Sequence, residues 1–141
     1  MDPGDIYRHD RFYLDTTDGE FKRKYVLILA APKDRDIVAR LLTSRAYGRR
    51  EIPPCYHGDP YAGFFLGVLG DPLTTKSWVD LRGLDDLDID EFGRAVRKGY
   101  VERVTALPRS VLLSVLDCAA RAEDTTRQQE LLMRDEIARL G

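Results

Sequence analysis

Short apolar runs separated by turn residues dominate the first two-thirds of the chain, a pattern that predicts β-strands. Residues 4–14 are rich in aromatic side chains and partly alternate between apolar and polar positions. Two continuous apolar runs, 25–30 and 37–42, flank a turn of proline and charged residues at 32–36, which predicts a hairpin. Because these runs lack polar alternation, we expect burial on both faces of a sheet, or a sheet curled into a barrel.

Three further strands are predicted at residues 63–69, 76–81 and 100–105. A loop over residues 46–61, interrupted by glycine and proline, precedes the first of them. A loop of this length inside a compact domain is uncommon and is often functional. The loop and the hairpin are therefore both candidate locations for a functional site.

A short helical turn is predicted after Asp88, because an aspartate followed three residues later by Glu91 suits a helix N-terminus. Gly99 then ends that turn. Beyond Pro108, which suits a first helical position, apolar residues recur at helical spacing, so one face of this helix packs on the sheet. These signals place the helices mainly in the last third of the chain.

A closing helix, capped by Asp124 or Thr125, is predicted to reach Leu140, with Met133 and Ile137 on the same apolar stripe. The chain has 141 residues, of which 43% are hydrophobic, and this length is typical of one globular domain. We therefore predict a mainly β fold with C-terminal helices (α+β), a small barrel or curled sheet closed by amphipathic helices.

No segment approaches the roughly 20 apolar residues of a membrane span, and the opening residues lack a signal-peptide pattern. Cys55 and Cys118 form no CxxC motif and do not combine with His9 or His57 at metal-ligand spacing. We therefore expect a cytoplasmic protein with free, reduced thiols and no metal or other cofactor. No membrane partner is expected.

Charge is unevenly distributed, although the net charge is only −2. Residues 20–51 carry nine basic and four acidic side chains, whereas residues 80–91 carry six acidic ones and a single arginine. The basic segment could hold a polyanion, although a solvated surface has the same composition. The acidic run 85–91 could bind calcium, but it lacks the glycine and spacing of an EF-hand loop and is interpreted as a solvated turn.

The predicted hairpin brings cations and hydroxyls together. Lys24 lies opposite Ser44 in one register and opposite Thr43 if the strands shift by one residue. Facing residues on antiparallel strands have Cβ atoms about 5 Å apart. Arg23 points to the opposite face of its strand, so only one of the two cations faces the hydroxyls. Such a combination suits a phosphate-binding site, although Thr-Ser at a strand end is also ordinary turn chemistry.

The order of these parts resembles the MazF/PemK toxins of toxin–antitoxin systems, over roughly residues 3 to 122. The resemblance implies an SH3-like barrel, usually dimeric, over residues 1–122, with 123–141 as an additional helix. Lys24-Tyr25 stands where family members have Arg-Pro. The matching segments are Pro3-Gly4-Asp5-Ile6, Gly19-Glu20, Lys24-Tyr25-Val26-Leu27-Ile28, Leu42-Thr43-Ser44 and Ser77-Trp78-Val79-Asp80-Leu81.

The resemblance also implies a metal-independent endoribonuclease that cleaves single-stranded RNA by 2′-hydroxyl attack and is neutralised by an antitoxin peptide. It assigns Glu20 as a base or orienting group, Arg23 or Lys24 as the cation, and Thr43 and Ser44 as phosphate-binding hydroxyls. Arginines and tyrosines of the long loop add the usual ingredients of single-strand binding. The candidate RNA-binding residues are Lys22, Arg45, Tyr47, Arg49, Arg50, Tyr56 and His57.

Two other functions remain open from the sequence. The first is a non-catalytic barrel toxin that binds a protein target such as DNA gyrase. The second is an interaction module without toxicity. The first predicts toxicity that survives loss of Lys24 and Thr43 but depends on the C-terminal helices, and the second predicts no toxicity at all.

Overall fold

The computed structural model describes residues 1–141 as an α+β arrangement of seven strands and three helices. The strands lie mainly in the first two-thirds of the chain and two of the helices at its end, as predicted. Hydrogen-bonded strands all run antiparallel. The elements are β1 (Asp5–Asp15), β2 (Glu20–Ala30), β3 (Val38–Thr43), β4 (Cys55–Tyr56), β5 (Gly63–Gly67), β6 (Ser77–Asp80), α1 (Ile89–Lys98), β7 (Val101–Ala106), α2 (Arg109–Ala120) and α3 (Arg127–Leu140).

The seven strands form one sheet in the order β4-β5-β6-β3-β2-β1-β7. No ladder joins the edge strands β4 and β7, so backbone hydrogen bonds do not close the sheet. The α+β class is confirmed, whereas the barrel stays a prediction. None of the three helices combines the length and the apolar character needed to cross a bilayer.

The interior strand β2 is buried on both faces along residues 26–30, as its continuous apolar run predicted. Leu27 and Leu29 belong to a large core with α2 and α3, while Val26 and Ile28 belong to a smaller one with α1. This alternation follows the two-residue period of a strand. Fully burying a side chain of this size contributes about 1.5–3 kcal/mol. The β2 segment therefore ties the helices on both sides into one structure.

The basic residues before this run extend the strand and are not part of a loop, because β2 begins at Glu20 and pairs with β1 as far as Asp15. The β2–β3 ladder includes Val26 opposite Leu41, and continuing that register places Lys24 level with Thr43. This register agrees with the second of the two predicted ones. The β2–β3 ladder ends at Val26 and Leu41, and toward Lys24 and Thr43 β2 pairs only with β1 and β3 only with β6.

Capping explains where the helices begin. The Asp88 side chain accepts hydrogen bonds from the backbone of Asp90 and Glu91, and Gly99 ends α1 in the left-handed conformation, as predicted. The cap of α3 is Thr126, in a reciprocal capping box with Gln129, so the prediction of Asp124 or Thr125 was wrong. Those two side chains bind groups outside α3.

Arg40 anchors α3 to the sheet from the interior. Its side chain is fully buried, and Nη1 donates to the Ala39 carbonyl at 2.8 Å. Nη2 donates to Gln129 Oε1 at 3.0 Å and to Thr125 Oγ1 at 3.3 Å. Gln129 Nε2 in turn donates to Asp86 Oδ1 at 2.8 Å. One arginine therefore links β3, the start of α3 and the segment before α1.

Replacing this arginine tests the anchor. We expect Arg40→Ala to lower the free energy of unfolding by about 3 kcal/mol or more, because it removes buried hydrogen bonds from a charged group and leaves a cavity. Chemical denaturation followed by far-UV circular dichroism measures the change. The exposed Arg35→Ala is the matched control and should stay within about 0.5 kcal/mol of wild type. Similar losses for both variants would contradict the assignment.

Candidate functional site

A cleft of about 480 Å³ is lined by the middle of β2, the end of β3 and the segment 72–77. Its volume lies within the range of typical ligand sites. Four cationic side chains and one carboxylate lie on its wall, together with several hydroxyls. Such a lining favours an anionic ligand. The charged residues are Arg23, Lys24, Arg45, Arg82 and Asp80.

The predicted cation–hydroxyl group lies in this cleft. Lys24, Thr43 and Ser44 all contribute to its wall. The Thr43 hydroxyl oxygen accepts from the Arg45 backbone N–H at 3.1 Å, so its own proton remains free for an anion. Lys24 forms no ion pair, and its Nζ lies 5.9 Å from the centre of the Tyr13 ring. Lys24 is therefore a cation that no carboxylate neutralises.

The other basic residues of the same strand are already paired. Arg23 borders the cleft, but its Nε donates to Asp10 Oδ1 at 2.9 Å. Lys22 Nζ donates to Asp18 Oδ2 at 2.6 Å and does not line the cleft. Glu20 lies opposite Asp15 at the tip of the β1–β2 hairpin, also outside the cleft. The strand thus presents Lys24 as its main free charge.

Asp80 is the central charged group of the opposite wall, although no functional role was predicted for it. It ends β6, its side chain is 8% exposed, and two arginines converge on it. Arg82 Nη2 lies 2.6 Å from Oδ2 and Arg49 Nη2 lies 3.2 Å from Oδ1. Burial alone would raise the Asp80 pKa, but these arginines lower it below its ordinary value. The carboxyl is therefore ionised at neutral pH.

Arg49, predicted to bind RNA, is part of the wall itself. Its side chain is 1% exposed and donates to the Ala62 carbonyl at 3.0 Å and the Arg45 carbonyl at 3.1 Å. A Cβ at position 63 would collide with this side chain, so Gly63 lets the arginine cross the strand. Arg49 ties the start of the long loop to β6.

Arg45 and Tyr47 do reach the cleft from the long loop. Arg45 Nη1 donates to the Tyr47 hydroxyl at 2.6 Å, and both side chains are exposed. Arg50 lies over the ring of Tyr56, 5.4 Å from its centre, and neither residue lines the cleft. The predicted RNA-binding set therefore divides into residues at the mouth and residues away from it.

The two cysteines correct the prediction of free thiols, because Cys55 and Cys118 form a disulfide between β4 and α2. His57 belongs to the same cluster, with Nε2 at 3.1 Å from Cys55 Sγ and 3.6 Å from Cys118 Sγ. Although much of the His57 side chain is exposed, its partial burial lowers its pKa, and the charge of Arg121 lowers it further. The cluster could not be recognised from the spacing of residues along the sequence, because its third member, Cys118, lies on the distant helix α2.

Several cleft residues escaped the sequence analysis. Asp80 and Arg82 were counted within an acidic run, and Thr74 and Thr75 received no role. A usable signal was present at Asp80, the one acidic residue of the predicted strand 76–81, where it follows Trp78 and Val79. A buried carboxylate needs a cationic partner, which would have directed attention to the arginines.

No protein-family model, curated protein or solved structure matches this chain. The resemblance to MazF/PemK toxins therefore rests on the quoted segments alone.

The Asp80 cluster predicts a specific acid response. The Asp80 pKa is lower in the folded protein than its ordinary value of 3.8, so its stabilising contribution is complete above that value and is lost as pH falls through the folded-state pKa. Asp80→Asn should lower the free energy of unfolding at pH 7 by about 3 kcal/mol, since two arginines lose their charge partner. Below about pH 4 the variant should lose less stability than wild type.

Denaturation midpoints measured from pH 7 to pH 2 provide the comparison. Asp135→Asn is the control, because Asp135 is exposed on α3 and forms no ion pair. Its profile should run parallel to that of wild type. An Asp80→Asn profile that also ran parallel to wild type would show that Asp80 does not carry the acid dependence.

Proposed function

We propose that this chain is a MazF/PemK-like endoribonuclease that cleaves single-stranded RNA without a metal ion, on an SH3-like barrel. The observation that carries the proposal is the position of Lys24, unpaired, on the same cleft wall as the Thr43 and Ser44 hydroxyls. Cations and hydroxyls in a cleft are the groups that bind a phosphodiester. The resemblance adds the reaction type.

The reaction needs no external nucleophile. The ribose 2′-oxygen attacks the adjacent phosphorus and loses its proton to solvent water, and the bond from phosphorus to the 5′-oxygen breaks. The leaving 5′-oxygen takes a proton, so the products are a 2′,3′-cyclic phosphate and a 5′-hydroxyl. Negative charge grows on the non-bridging oxygens in between. Fixed cations and hydrogen-bond donors lower the barrier where this charge develops.

Lys24 is assigned two tasks in this scheme. Its ammonium stabilises the phosphorane and carries a proton that it can give to the leaving oxygen, whereas a guanidinium holds its protons too tightly for that. Thr43 and Ser44 donate hydrogen bonds to the non-bridging oxygens. Arg82 adds positive charge from the other wall. Glu20 is left out, since it does not line the cleft.

We assign the contacts to RNA nucleobases to an aromatic rim beside the cleft, which consists of Tyr47 and Tyr61. Tyr47 lies at the mouth, and its ring meets Tyr61 edge to face with centroids 5.8 Å apart. Arg82 lies over the Tyr61 ring at 5.0 Å from its centre. Aromatic rings backed by arginines stack on unpaired bases, at about 1–3 kcal/mol per base. This rim suits a single strand better than a duplex, whose bases are not available for stacking.

The remaining partners follow from the same proposal. An acidic antitoxin peptide complements the cationic cleft. A homodimer is supported by exposed apolar side chains at the hairpin tip, where Tyr13, Leu14 and Phe21 are 45%, 50% and 53% exposed. We place the protein in the cytoplasm, where reducing conditions would open the disulfide.

A second function, RNA binding without cleavage, is favoured by one observation. The cleft wall has no histidine, and its only carboxylate, Asp80, is engaged by two arginines. A carboxylate with a lowered pKa is a weak general base. The cleft is consequently better equipped to hold a phosphate and to stabilise charge than to remove the 2′-proton.

Incubating the disulfide-bonded protein with single-stranded RNA in EDTA tests the ribonuclease directly. We expect fragments that end in 2′,3′-cyclic phosphates, identified by mass spectrometry. Lys24→Ala and Thr43→Ala should each slow cleavage by about 10²–10³-fold, the usual effect of removing a group that stabilises the transition state. RNA with 2′-O-methyl groups should bind but stay intact, because it lacks the nucleophile.

Lys33→Ala is the matched control, since Lys33 is an exposed lysine of the β2–β3 turn that lies outside the cleft. Its cleavage rate should equal that of wild type. Intact RNA that is nonetheless bound would favour the binding function. Failure to bind RNA, or equal rates for Lys24→Ala and wild type, would exclude the ribonuclease and leave a protein target as the alternative.

A further inference from the structure

We propose that Cys55, His57 and Cys118 form a Zn²⁺ site when the disulfide between the two cysteines is reduced. Thiolate and imidazole are the ligands that zinc prefers in proteins. Their three donor atoms already lie within 4.8 Å of one another. The site lies outside the cleft, and neither RNA nor the ribonuclease reaction enters the argument.

The sulfur–nitrogen distances are close to those of a tetrahedral centre. Zn–S bonds of about 2.3 Å and Zn–N bonds of about 2.0 Å require sulfur–nitrogen separations of roughly 3.6 Å. The His57 Nε2 atom lies 3.1 Å from one sulfur and 3.6 Å from the other. The Cα atoms of Cys55 and Cys118 are 5.8 Å apart, so side-chain rotation alone can separate the reduced sulfurs to roughly 3.8 Å.

The position of the histidine is the informative feature. A disulfide needs no third polar group, yet His57 directs its Nε2 atom toward both sulfurs. Cys118 is fully buried and Cys55 half-buried, while His57 is exposed. The two sulfurs therefore supply the inner side of the site and the imidazole its solvent side. Water can complete four-coordination from outside.

The charges also balance. Two thiolates and a neutral imidazole around Zn²⁺ give a net charge of zero, which suits a half-buried location. Arg121 Nη2 lies 3.5 Å from Cys55 Sγ, and a nearby cation favours the thiolate form that zinc requires. Arg121 is itself paired with Asp117 at 3.1 Å, so its charge is shared. The charges around the site therefore favour the thiolate form of the two cysteines.

The site would keep a structural link that reduction otherwise breaks. The disulfide joins β4, inside the long loop, to the buried face of α2. A dithiol or phosphine reductant transfers two electrons, giving two Cys thiols and the oxidised reductant. Zinc then displaces two protons from those thiols and bridges the same elements. The loop is thus tied to α2 by a covalent bond in one state and by a metal ion in the other.

The test titrates Zn²⁺ into the full-length protein, fully reduced with a phosphine in the absence of oxygen, and into the oxidised protein. We expect one zinc per reduced chain and none per oxidised chain. With Co²⁺ as a spectroscopic probe, the reduced protein should show thiolate-to-metal charge transfer. Bound zinc should also protect both cysteines from alkylation, as measured by mass spectrometry.

His57→Ala should weaken zinc binding more than about 100-fold, because loss of a direct ligand exceeds the 10–100-fold typical of outer groups. His9→Ala is the matched control, since His9 lies on β1 among Phe12 and Tyr100, and its affinity should equal wild type. Absence of zinc binding by the reduced wild type would overturn the proposal. Equal affinity in His57→Ala and wild type would do the same. The comparison of the two redox states needs no variant, so it decides the question even if His57→Ala does not fold.

Discussion

The buried carboxylate of Asp80 is the group on which the candidate cleft depends. It ends β6 with its side chain only 8% exposed, and Arg49 and Arg82 approach it from different segments. Without them an ionised carboxylate at this position would cost several kcal/mol. Arg49 then binds two backbone carbonyls, so the path of the long loop is set by charge and hydrogen bonds as well as by apolar packing. The cleft wall is consequently built from polar contacts.

The same principle holds on the other side of the sheet. Arg40 is fully buried and connects three elements through its guanidinium donors, which no shorter side chain could reach at once. Two of the nine basic residues in the charged segment, Arg40 and Arg49, are therefore interior groups. Counting charges along the chain overstates the potential that this segment presents to a ligand. The cations that matter for binding are the unpaired Lys24 and the exposed Arg45.

Much of the fold followed from the sequence because it depends on local patterns. Strand and helix positions, the hairpin and the burial of β2 on both faces come from periodicity and turn chemistry, which neighbouring residues determine. The cap of α3 was misplaced by one or two residues because Thr125 binds Arg40 from a distant strand. The disulfide and the ion pairs of Asp80 could not be predicted for the same reason. Each joins residues whose proximity only the tertiary structure creates.

The long loop has two independent anchors, and their order along the chain matters. The Arg49–Asp80 ion pair fixes its first part, beside Arg45 and Tyr47, while the Cys55–Cys118 link fixes its second part. Arg49 Nη1 also holds the Arg45 carbonyl directly. A change in the state of the sulfurs acts on the second anchor and leaves the first in place. The cationic mouth of the cleft is therefore anchored independently of the Cys55–Cys118 link.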